Sequence, residues 1–257
     1  MTPSPILAIL VALGTILGGN ALEGGHLDSL TQPTALLIVL GGTVGATWLA
    51  STDAEIKLMF KMMPRVVRPG TADPHKLLEV MLKVANIVRR DGILAVEAML
   101  DEVPDEFLKR GLRLLVDGSS PDDVRKMLEM EIDLQEHHGN AASKVLETAG
   151  GFAPTIGILG AVLGLIHVMQ NLDDPSKLGT GIAVAFVATI YGVGFANVLF
   201  IPLGNRLKKI VGADIEIKTM IVAGLEVIAA GANPRQVEET LVPFVSHGAK
   251  HDKKEAA

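Results

Sequence analysis

Four long apolar stretches without Asp, Glu, Lys or Arg dominate the hydrophobic pattern of the chain. They cover residues 1–22, 31–52, 148–172 and 178–205. A helix crosses the hydrocarbon core of a bilayer with about 20 mainly apolar residues, and each stretch is long enough to do so. The pattern therefore predicts an all-α membrane protein with four transmembrane helices in two pairs. The charged segment between the pairs predicts a helical domain outside the membrane.

The predicted domains follow these boundaries. They are transmembrane helices 1 and 2 (1–52), a cytoplasmic helical domain (53–147), transmembrane helices 3 and 4 (148–205), and a cytoplasmic C-terminal region of helices and a disordered tail (206–257). Basic residues near span ends favour the cytoplasmic side of a membrane. Nine of them follow the second span, precede the third or follow the fourth, whereas the two short gaps contain only Lys177. This bias predicts that both termini and the middle domain are cytoplasmic.

Helix-start signals locate the helices of the middle domain. Asp73 is followed by proline, and a capping side chain before a first-turn proline favours a helix, here predicted over 74–90. Ser120 carries the same signal and predicts a helix to about His138. The following residues, 135–150, are also compatible with a helix and lead directly into the third span. The sequence therefore allows one long helix to leave the membrane.

The C-terminal region carries a similar signal. Asn233 precedes a proline and predicts a short helix over 235–241. The residues from His247 onward are polar, and the sequence predicts that they are disordered.

The composition restricts the chemistry that the chain can perform. It has no cysteine, which excludes disulfides and thiolate metal sites, and its net charge of −6 argues against nucleic-acid binding. No metal cluster, cofactor site or catalytic group of residues is predicted, so the chain is not expected to be an enzyme. The spans contain a single ionisable candidate, His167, which we interpret as an interfacial residue. Because the spans lack a carboxylate, a partner must supply the titrating group if the protein conducts ions.

Glycines and prolines are concentrated at informative places in the spans. Small residues allow membrane helices to approach closely, and sixteen of the 27 glycines lie in the four stretches. Pro154 lies near the start of the third span and Pro202 near the end of the fourth. Each proline removes a backbone hydrogen bond and can bend its helix. Their similar depth favours a flexure between membrane and cytoplasmic parts.

Two motifs in the spans are similar to those of a known family. Residues 153–166 read APTIGILGAVLGLI, residues 181–197 read GIAVAFVATIYGVGFAN, and Pro202 follows. They resemble the third and fourth spans of the MotA/PomA flagellar stator family, and the likeness extends over nearly the whole chain. The resemblance implies a 5:2 complex in the bacterial inner membrane, in which a homopentamer surrounds two single-span B-subunits (MotB/PomB-like). An Asp of the B-subunit would bind the coupling ion, and the cytoplasmic domain would turn the rotor C-ring protein FliG.

The resemblance also assigns roles to individual residues outside and inside the membrane. Arg89, Arg90 and Glu97 match charged rotor-contact positions. Arg90 and Glu97 would share one helical face if the helix continues through Gly92. The two prolines at 154 and 202 match prolines linked to torque generation.

The predicted ion path contains Thr189, Thr155, Ala161 and Ala188. Thr189 matches a fourth-span threonine that faces the path, and Thr155 is another hydroxyl of the motif. Sodium-type members carry threonines where this chain has Ala161 and Ala188. Because Na⁺ needs several oxygen ligands and a proton needs only a carboxylate and water, the two alanines favour H⁺. Tyr191 lies on another face and is interpreted as a packing residue.

Three alternatives to an H⁺-driven stator remain at this point. A Na⁺-driven stator would have the same fold. An ExbB/TolQ-like energiser of an envelope protein shares the third- and fourth-span pattern but usually has three spans and has no rotor to contact. A non-conducting membrane scaffold would tolerate substitutions at Thr189, Pro154 and Pro202.

Overall fold

The computed structural model describes residues 5–70, 72–173 and 175–254, with the backbone alone at 175–177 and 246–254. Within these residues the chain forms α-helices, two 3₁₀ helices (Leu27–Leu30 and Ile93–Glu102) and two π-helical segments, and it has no β-strand. The α-helices are α1 (Pro5–Leu22), α2 (Pro33–Leu36), α3 (Gly42–Ala50), α4 (Asp53–Val67), α5 (Pro74–Asp91), α6 (Glu106–Val116), α7 (Pro121–Gln170), α8 (Pro175–Gly194), α9 (Ile201–Ala229) and α10 (Pro234–Lys254). The prediction of an all-α protein is confirmed.

Four helical segments are long and apolar enough to cross a membrane. They are Pro5–Leu22, Leu27–Ala50, a part of Pro121–Gln170 and a part of Leu178–Ala229. These segments coincide with the four predicted spans. The chain is a membrane protein with two pairs of spanning helices.

Two of the spans contain a π-helical segment that joins α-helices without a break. Leu37–Gly41 links α2 to α3, and Phe195–Phe200 links α8 to α9. In the second case the N–H of Ile201 donates to the carbonyl of Ala196, five residues earlier. Pro202 follows at once and has no N–H for the usual bond to the fourth residue before it. The wider π turn therefore lies where the proline interrupts the α-helical pattern.

The third span is the end of a much longer helix. α7 contains 50 residues, or about 75 Å at 1.5 Å per residue, and continues through Pro154. The prediction that a helix ends near His138 is therefore wrong, and the alternative of one long helix leaving the membrane is confirmed. Apolar residues are buried on both sides of the expected end, for example Ile132 and Ala142, and the helix continues through the largely polar residues 133–140 between them.

The predicted helix-start signals are used as hydrogen-bonding caps. The Asp73 carboxylate accepts from the N–H of His75 at 3.0 Å, and α5 begins at the next residue, Pro74, as predicted. The Ser120 hydroxyl accepts from the N–H of Asp123 at 3.2 Å at the start of α7. A capping box that was not predicted lies at Thr52, where the side chain of Glu55 accepts from the Thr52 N–H at 2.7 Å. Each cap satisfies an N–H that has no partner inside its helix.

The described residues form two compact units. One unit, termed the charged unit, contains residues 70–137 and 210–254, and the other, termed the membrane unit, contains residues 5–69 and 138–209. α4 thus belongs to the membrane unit, because its apolar side packs against α7 and α9. The part of α9 from residue 210 onward and α10 pack with the middle domain, since they share its core.

The charged unit has its own hydrophobic core. α5, α6, α9 and α10 contribute fully buried side chains, including Met81, Leu108, Leu112, Met220 and Leu241. The sequence predicted that the tail is disordered from His247, but α10 continues to Lys254. Its buried residues at 237, 241 and 245 recur at helical spacing and attach the helix to this core. Residues 255–257 lie outside the described part.

The charged unit also contains an ionic cluster that connects three helices. Glu131 of α7 pairs with Arg110 of α6 and, at 3.5 Å, with Lys218 of α9. The Lys218 ammonium lies 4.3 Å from the centre of the Phe107 ring. The cluster fixes the relative positions of α6, α7 and α9 within this unit.

Candidate ion-path and rotor-contact sites

The third and fourth spans are held together by small residues. Gly157 of α7 lies opposite Gly192 of α8, and a Cβ built on Gly157 would be 2.9 Å from the carbonyl oxygen of Ala188 and 3.1 Å from the Cα of Gly192. Two turns further along α7, a Cβ on Gly164 would be 2.8 Å from the Ala185 nitrogen. Such contacts with backbone leave no room for a side chain. The prediction that glycines allow close approach of the spans is confirmed at these positions, while several glycines of α1 face open space.

Ala188 lies inside this glycine interface. Its side chain is fully buried, at 0% exposure, and a Cβ on Gly160 would be 2.8 Å from the Ala188 Cβ. Ala35 and Val39 of the second span belong to the same buried cluster. Within one protomer, Ala188 is therefore a packing residue between three spans, and its predicted role at the ion path stays a prediction.

The other predicted ion-path residues do not form one cluster within the protomer. Thr155 is exposed, and its hydroxyl donates to the Phe152 carbonyl at 2.8 Å. Thr189 is half-buried, and its hydroxyl donates to the Ala185 carbonyl at 3.3 Å. Ala161 is half-buried on α7. Thr155 lies about 160° around α7 from Gly157, whereas Thr189 lies at the edge of the glycine interface, so the two hydroxyls have different surroundings.

An apolar surface of these two spans remains exposed in the single chain. On α8 it is formed by residues at helical spacing, including Ile182, Phe186, Ile190 and Val193. Thr189 borders this surface. The exposed His167 is the only ionisable side chain among the described residues of the third and fourth spans that lie within the charge-free stretches, apart from the tyrosine hydroxyl. The surface therefore offers hydroxyl groups and apolar contacts but no carboxylate.

Both candidate torque residues lie beside close contacts between helices. A Cβ on Gly192 would be 3.2 Å from the Cα of Pro154. A Cβ on Gly150, one turn before that proline, would be 2.5 Å from the Ile201 side chain, which directly precedes Pro202. The two prolines thus flank one packed level of α7 and α9, in agreement with their similar depth in the sequence analysis.

Tyr191 has a hydrogen-bonding role that its sequence position did not predict. Its hydroxyl donates to the carbonyl of Leu30 at 2.5 Å and accepts from the N–H of Gln32 at 3.3 Å. Its ring also packs against Phe195, with 5.9 Å between the ring centres. Tyr191 is a packing residue as predicted, and it also satisfies two backbone groups where the second span begins. Only the folded chain brings these groups together, so no sequence motif indicated the contact.

The membrane unit contains a second long-range contact of this kind. The Arg206 Nε donates to the Val66 carbonyl at 2.9 Å, at the last turn of α4. Arg206 was counted in the sequence only as a cytoplasmic basic residue. It also fixes the end of α4 against α9.

The rotor-contact candidates lie at the end of α5 and beyond it. Arg89 and Arg90 are exposed in the last turn, where a positive charge interacts favourably with the helix dipole. Arg90 pairs with Asp91 at 2.7 Å. This hydrogen bond to Arg90 lowers the pKa of the Asp91 carboxyl, and the bond to Asp91 raises the pKa of Arg90. The pair therefore stays ionised at neutral pH.

Glu97 does not share a helical face with Arg90, and the helix does not continue through Gly92. α5 ends at Asp91, and Gly92 adopts a φ of +84°, a value that side chains with a Cβ rarely adopt. Glu97 lies in the following 3₁₀ helix, Ile93–Glu102. The condition for a shared helical face, a helix that continues through Gly92, is therefore not met, because the glycine turns the chain before the second charge.

Glu97 instead contributes to a shallow polar depression. It lies with Asp101, Arg113 and Asp117 around a cavity of about 290 Å³. Both Glu97 and the Arg90–Asp91 pair are exposed, so the charged unit presents acidic and basic groups to solvent on successive elements.

The fold and its sites define a class of membrane subunit in which interlocked spans are joined to a charged helical unit. Residues 6–92 match the Motility protein A N-terminal family, and residues 99–220 match the MotA/TolQ/ExbB proton channel family. The class is therefore that of stator and channel subunits.

Individual relatives narrow this class. The chain is 33% identical to Motility protein A of Helicobacter pylori, over 96% of both chains. It matches a chain in the structure of C. jejuni MotAB with a TM-score of 0.91 and 32% identity, over 96% of this chain and 97% of that one. A chain in the flagellar MotAB stator complex from Bacillus subtilis matches with a TM-score of 0.86 and 31% identity, over 93% and 94%. The chain belongs to the motility protein A family.

The family resemblance seen in the sequence is confirmed, and so is the prediction of a flagellar motor stator subunit. The match of residues 6–92 to the Motility protein A N-terminal family favours the flagellar branch over the ExbB/TolQ alternative.

Proposed function

We propose that the chain is the A-subunit of a stator that couples inward flow of H⁺ across the bacterial inner membrane to torque on the flagellar rotor. One observation carries this proposal. The third and fourth spans interlock through glycines and expose a surface with hydroxyl groups but without a carboxylate. A proton path needs a group that binds and releases the proton, so the acid must come from another polypeptide.

The partner that fits this requirement is a single-span B-subunit whose Asp lies in the membrane. The solved relatives are MotAB structures, and one is described as a stator complex. We propose a 5:2 complex in which five copies of this chain surround two B-subunits. The exposed apolar residues of α8, such as Phe186 and Ile190, would then contact neighbouring helices. Both termini would lie in the cytoplasm, following the bias of basic residues.

The choice of H⁺ over Na⁺ depends on two alanines. Ala161 and Ala188 stand where hydroxyl ligands would be needed, and Ala188 has no free space toward Gly160. Thr189 remains as a hydroxyl at the edge of the exposed surface. One hydroxyl and water can relay a proton to a carboxylate, whereas Na⁺ requires several oxygen ligands in place of its hydration shell.

Ion flux and motor speed test both parts of this proposal. Cells without stators of their own would receive the chain alone, the chain with its B-subunit, or the chain with a B-subunit whose membrane Asp is replaced by Asn. We expect H⁺ influx and rotation only with the intact pair. At fixed pH, the speed of tethered cells should stay constant as external Na⁺ varies. H⁺ influx through the chain alone would contradict the proposal that the B-subunit supplies the acid. A motor speed that depends on external Na⁺ would contradict the choice of H⁺ as the coupling ion.

We propose that Arg89, Arg90 and Glu97 contact the rotor protein FliG. Their exposure leaves them available to a partner, and charges across a docking surface determine association and register. The sharp turn at Gly92 separates the basic and acidic groups onto two elements. Bending of α7 at Pro154 and of α9 at Pro202 would transmit the conformational change in the membrane unit to the charged unit. No catalytic residue belongs to this mechanism.

Charge reversal tests the rotor contact. Because like charges across an interface are strongly unfavourable, Arg90→Glu should weaken capture of full-length FliG at least about tenfold and reduce swimming. The matched control is Arg235→Glu, since Arg235 is also exposed and pairs with a carboxylate, Glu239, at 3.1 Å. Membrane levels of both variants should equal wild type on immunoblots. Equal loss of binding in the two variants would show a general charge effect and contradict a specific contact at Arg90.

A further inference from the structure

A large apolar cavity lies in the membrane unit where the second span meets α4. Its volume is about 730 Å³, within the range of small-molecule sites. The second span, α4, α7 and the end of the fourth span all contribute to its wall. The apolar lining includes Ile56, Phe60, Met63, Leu146 and Phe200. None of the candidate ion-path or rotor-contact residues belongs to this wall, so the cavity is separate from both sites.

Two threonine hydroxyls in this wall have no hydrogen-bond partner. Thr43 and Thr47 are 1% and 8% exposed, and neither hydroxyl finds an acceptor among the described residues. They lie on successive turns of α3 and both line the cavity. A buried hydroxyl without an acceptor costs free energy, so a ligand that offers acceptors here would be favoured.

The mouth of the cavity has the residues of a membrane–water interface. Trp48 lines it and is 62% exposed, and its indole N–H donates to the Asp53 carboxylate at 3.1 Å. Tryptophan is enriched at the headgroup level of membranes. Lys57, one turn after Asp53 on α4, also lines the mouth, and its ammonium has no carboxylate partner in the part of the chain that the structure describes. The mouth therefore presents one carboxylate, that of Asp53, which accepts from the Trp48 indole, and one ammonium, that of Lys57, which is left to pair with a ligand.

We propose that this cavity binds an anionic phospholipid from the leaflet at which the second span ends. An acyl chain would fill the apolar interior, the ester carbonyls would accept from Thr47 and Thr43, and the phosphate would pair with Lys57. A diacyl lipid carries two ester carbonyls, which matches two unsatisfied donors on one helix. A helix from a protein neighbour matches less well, because its backbone carbonyls are already used within the helix.

The chain's single tryptophan makes the site directly measurable. Trp48 is the only tryptophan in the sequence, so its fluorescence reports the mouth alone. The full chain would be reconstituted in phosphatidylcholine vesicles that contain a small, increasing fraction of phosphatidylglycerol brominated in the acyl chains. Brominated phosphatidylcholine would replace it in a parallel series. We expect half-maximal quenching at a clearly lower fraction of brominated phosphatidylglycerol than of brominated phosphatidylcholine. Lys57→Gln should reduce this preference for the anionic lipid about fivefold.

Two variants separate a specific site from general attraction to the membrane. Lys61→Gln removes the same charge one turn along α4, but Lys61 does not line the cavity. The preference of this variant for the anionic lipid should therefore equal that of wild type. Thr47→Val keeps the shape of the side chain, removes the hydroxyl and should weaken quenching by both lipids. Equal quenching by the two lipids in wild type would overturn the proposal. So would equal effects of Lys57→Gln and Lys61→Gln, or the absence of quenching, which would show that protein covers the cavity.

Discussion

Replacing Gly192 with alanine is expected to force the third and fourth spans apart and to abolish rotation. The added Cβ would lie 2.5 Å from the carbonyl oxygen of Ala153, 3.0 Å from the Cα of Gly157 and 3.2 Å from the Cα of Pro154. All three atoms belong to the backbone of α7, so no side chain can move aside. Overpacking of this kind costs about 1–3 kcal/mol and occasionally more.

The loss of stability expected for Gly192→Ala is opposite in sign to the effect of helix propensity, so propensity cannot account for it. Alanine is a better helix former than glycine by roughly 1 kcal/mol in a soluble helix. Gly194→Ala is the matched control, since Gly194 also lies in α8 and an added Cβ would meet nothing within 4 Å. Two quantities would be measured for both variants: the melting temperature (Tm) of the purified protein and the swimming of complemented cells. If Gly192→Ala matched Gly194→Ala in both, the two spans would not depend on this contact.

Leu112→Ala should produce the second large effect, a loss of stability in the charged unit. Leu112 is 0% exposed in the core of this unit. Truncation of a buried leucine removes its transfer free energy and leaves a cavity, at a total cost of about 2–5 kcal/mol. Amide hydrogens of α6 should therefore exchange at least about 30-fold faster, as follows from a loss of 2 kcal/mol or more.

A leucine on the surface provides the comparison for this variant. Leu94 is 68% exposed in the 3₁₀ helix of the same unit, so Leu94→Ala removes the same atoms without opening a cavity. Its exchange rates should stay close to wild type. The amides of the membrane unit serve as an internal reference in both variants. Comparable acceleration by the two substitutions would contradict the assignment of Leu112 to a tightly packed core.

The elements that the sequence predicted well are those that depend on local chemistry. A charge-free stretch of sufficient length specifies a spanning helix because lipid leaves no other way to satisfy the backbone. The cap at Asp73 depends only on neighbouring residues and is present as predicted. The glycine spacing predicted close approach of the spans, and Gly157 and Gly192 show it.

The predictions that differ depend on contacts between distant residues. The sequence left open whether the helix continues through Gly92, and α5 ends at Asp91 because Gly92 adopts a φ of +84°. The predicted end of a helix near His138 was wrong, because burial on both sides of this point continues α7. Ala188 is buried against Gly160, a contact that the sequence does not show, and its role at the ion path stays a prediction.

The sequence by itself determined the four spans, the family and the lack of a membrane carboxylate, since length, charge and local motifs are readable without a fold. Only the tertiary structure decided which residues meet across the chain. The Tyr191 hydroxyl bonds to the Leu30 carbonyl 161 positions before it, and the Thr43 and Thr47 hydroxyls at the cavity wall find no acceptor among the described residues. The physical reason is that burial and hydrogen bonding are properties of neighbours in space, and helix packing selects those neighbours from distant parts of the chain.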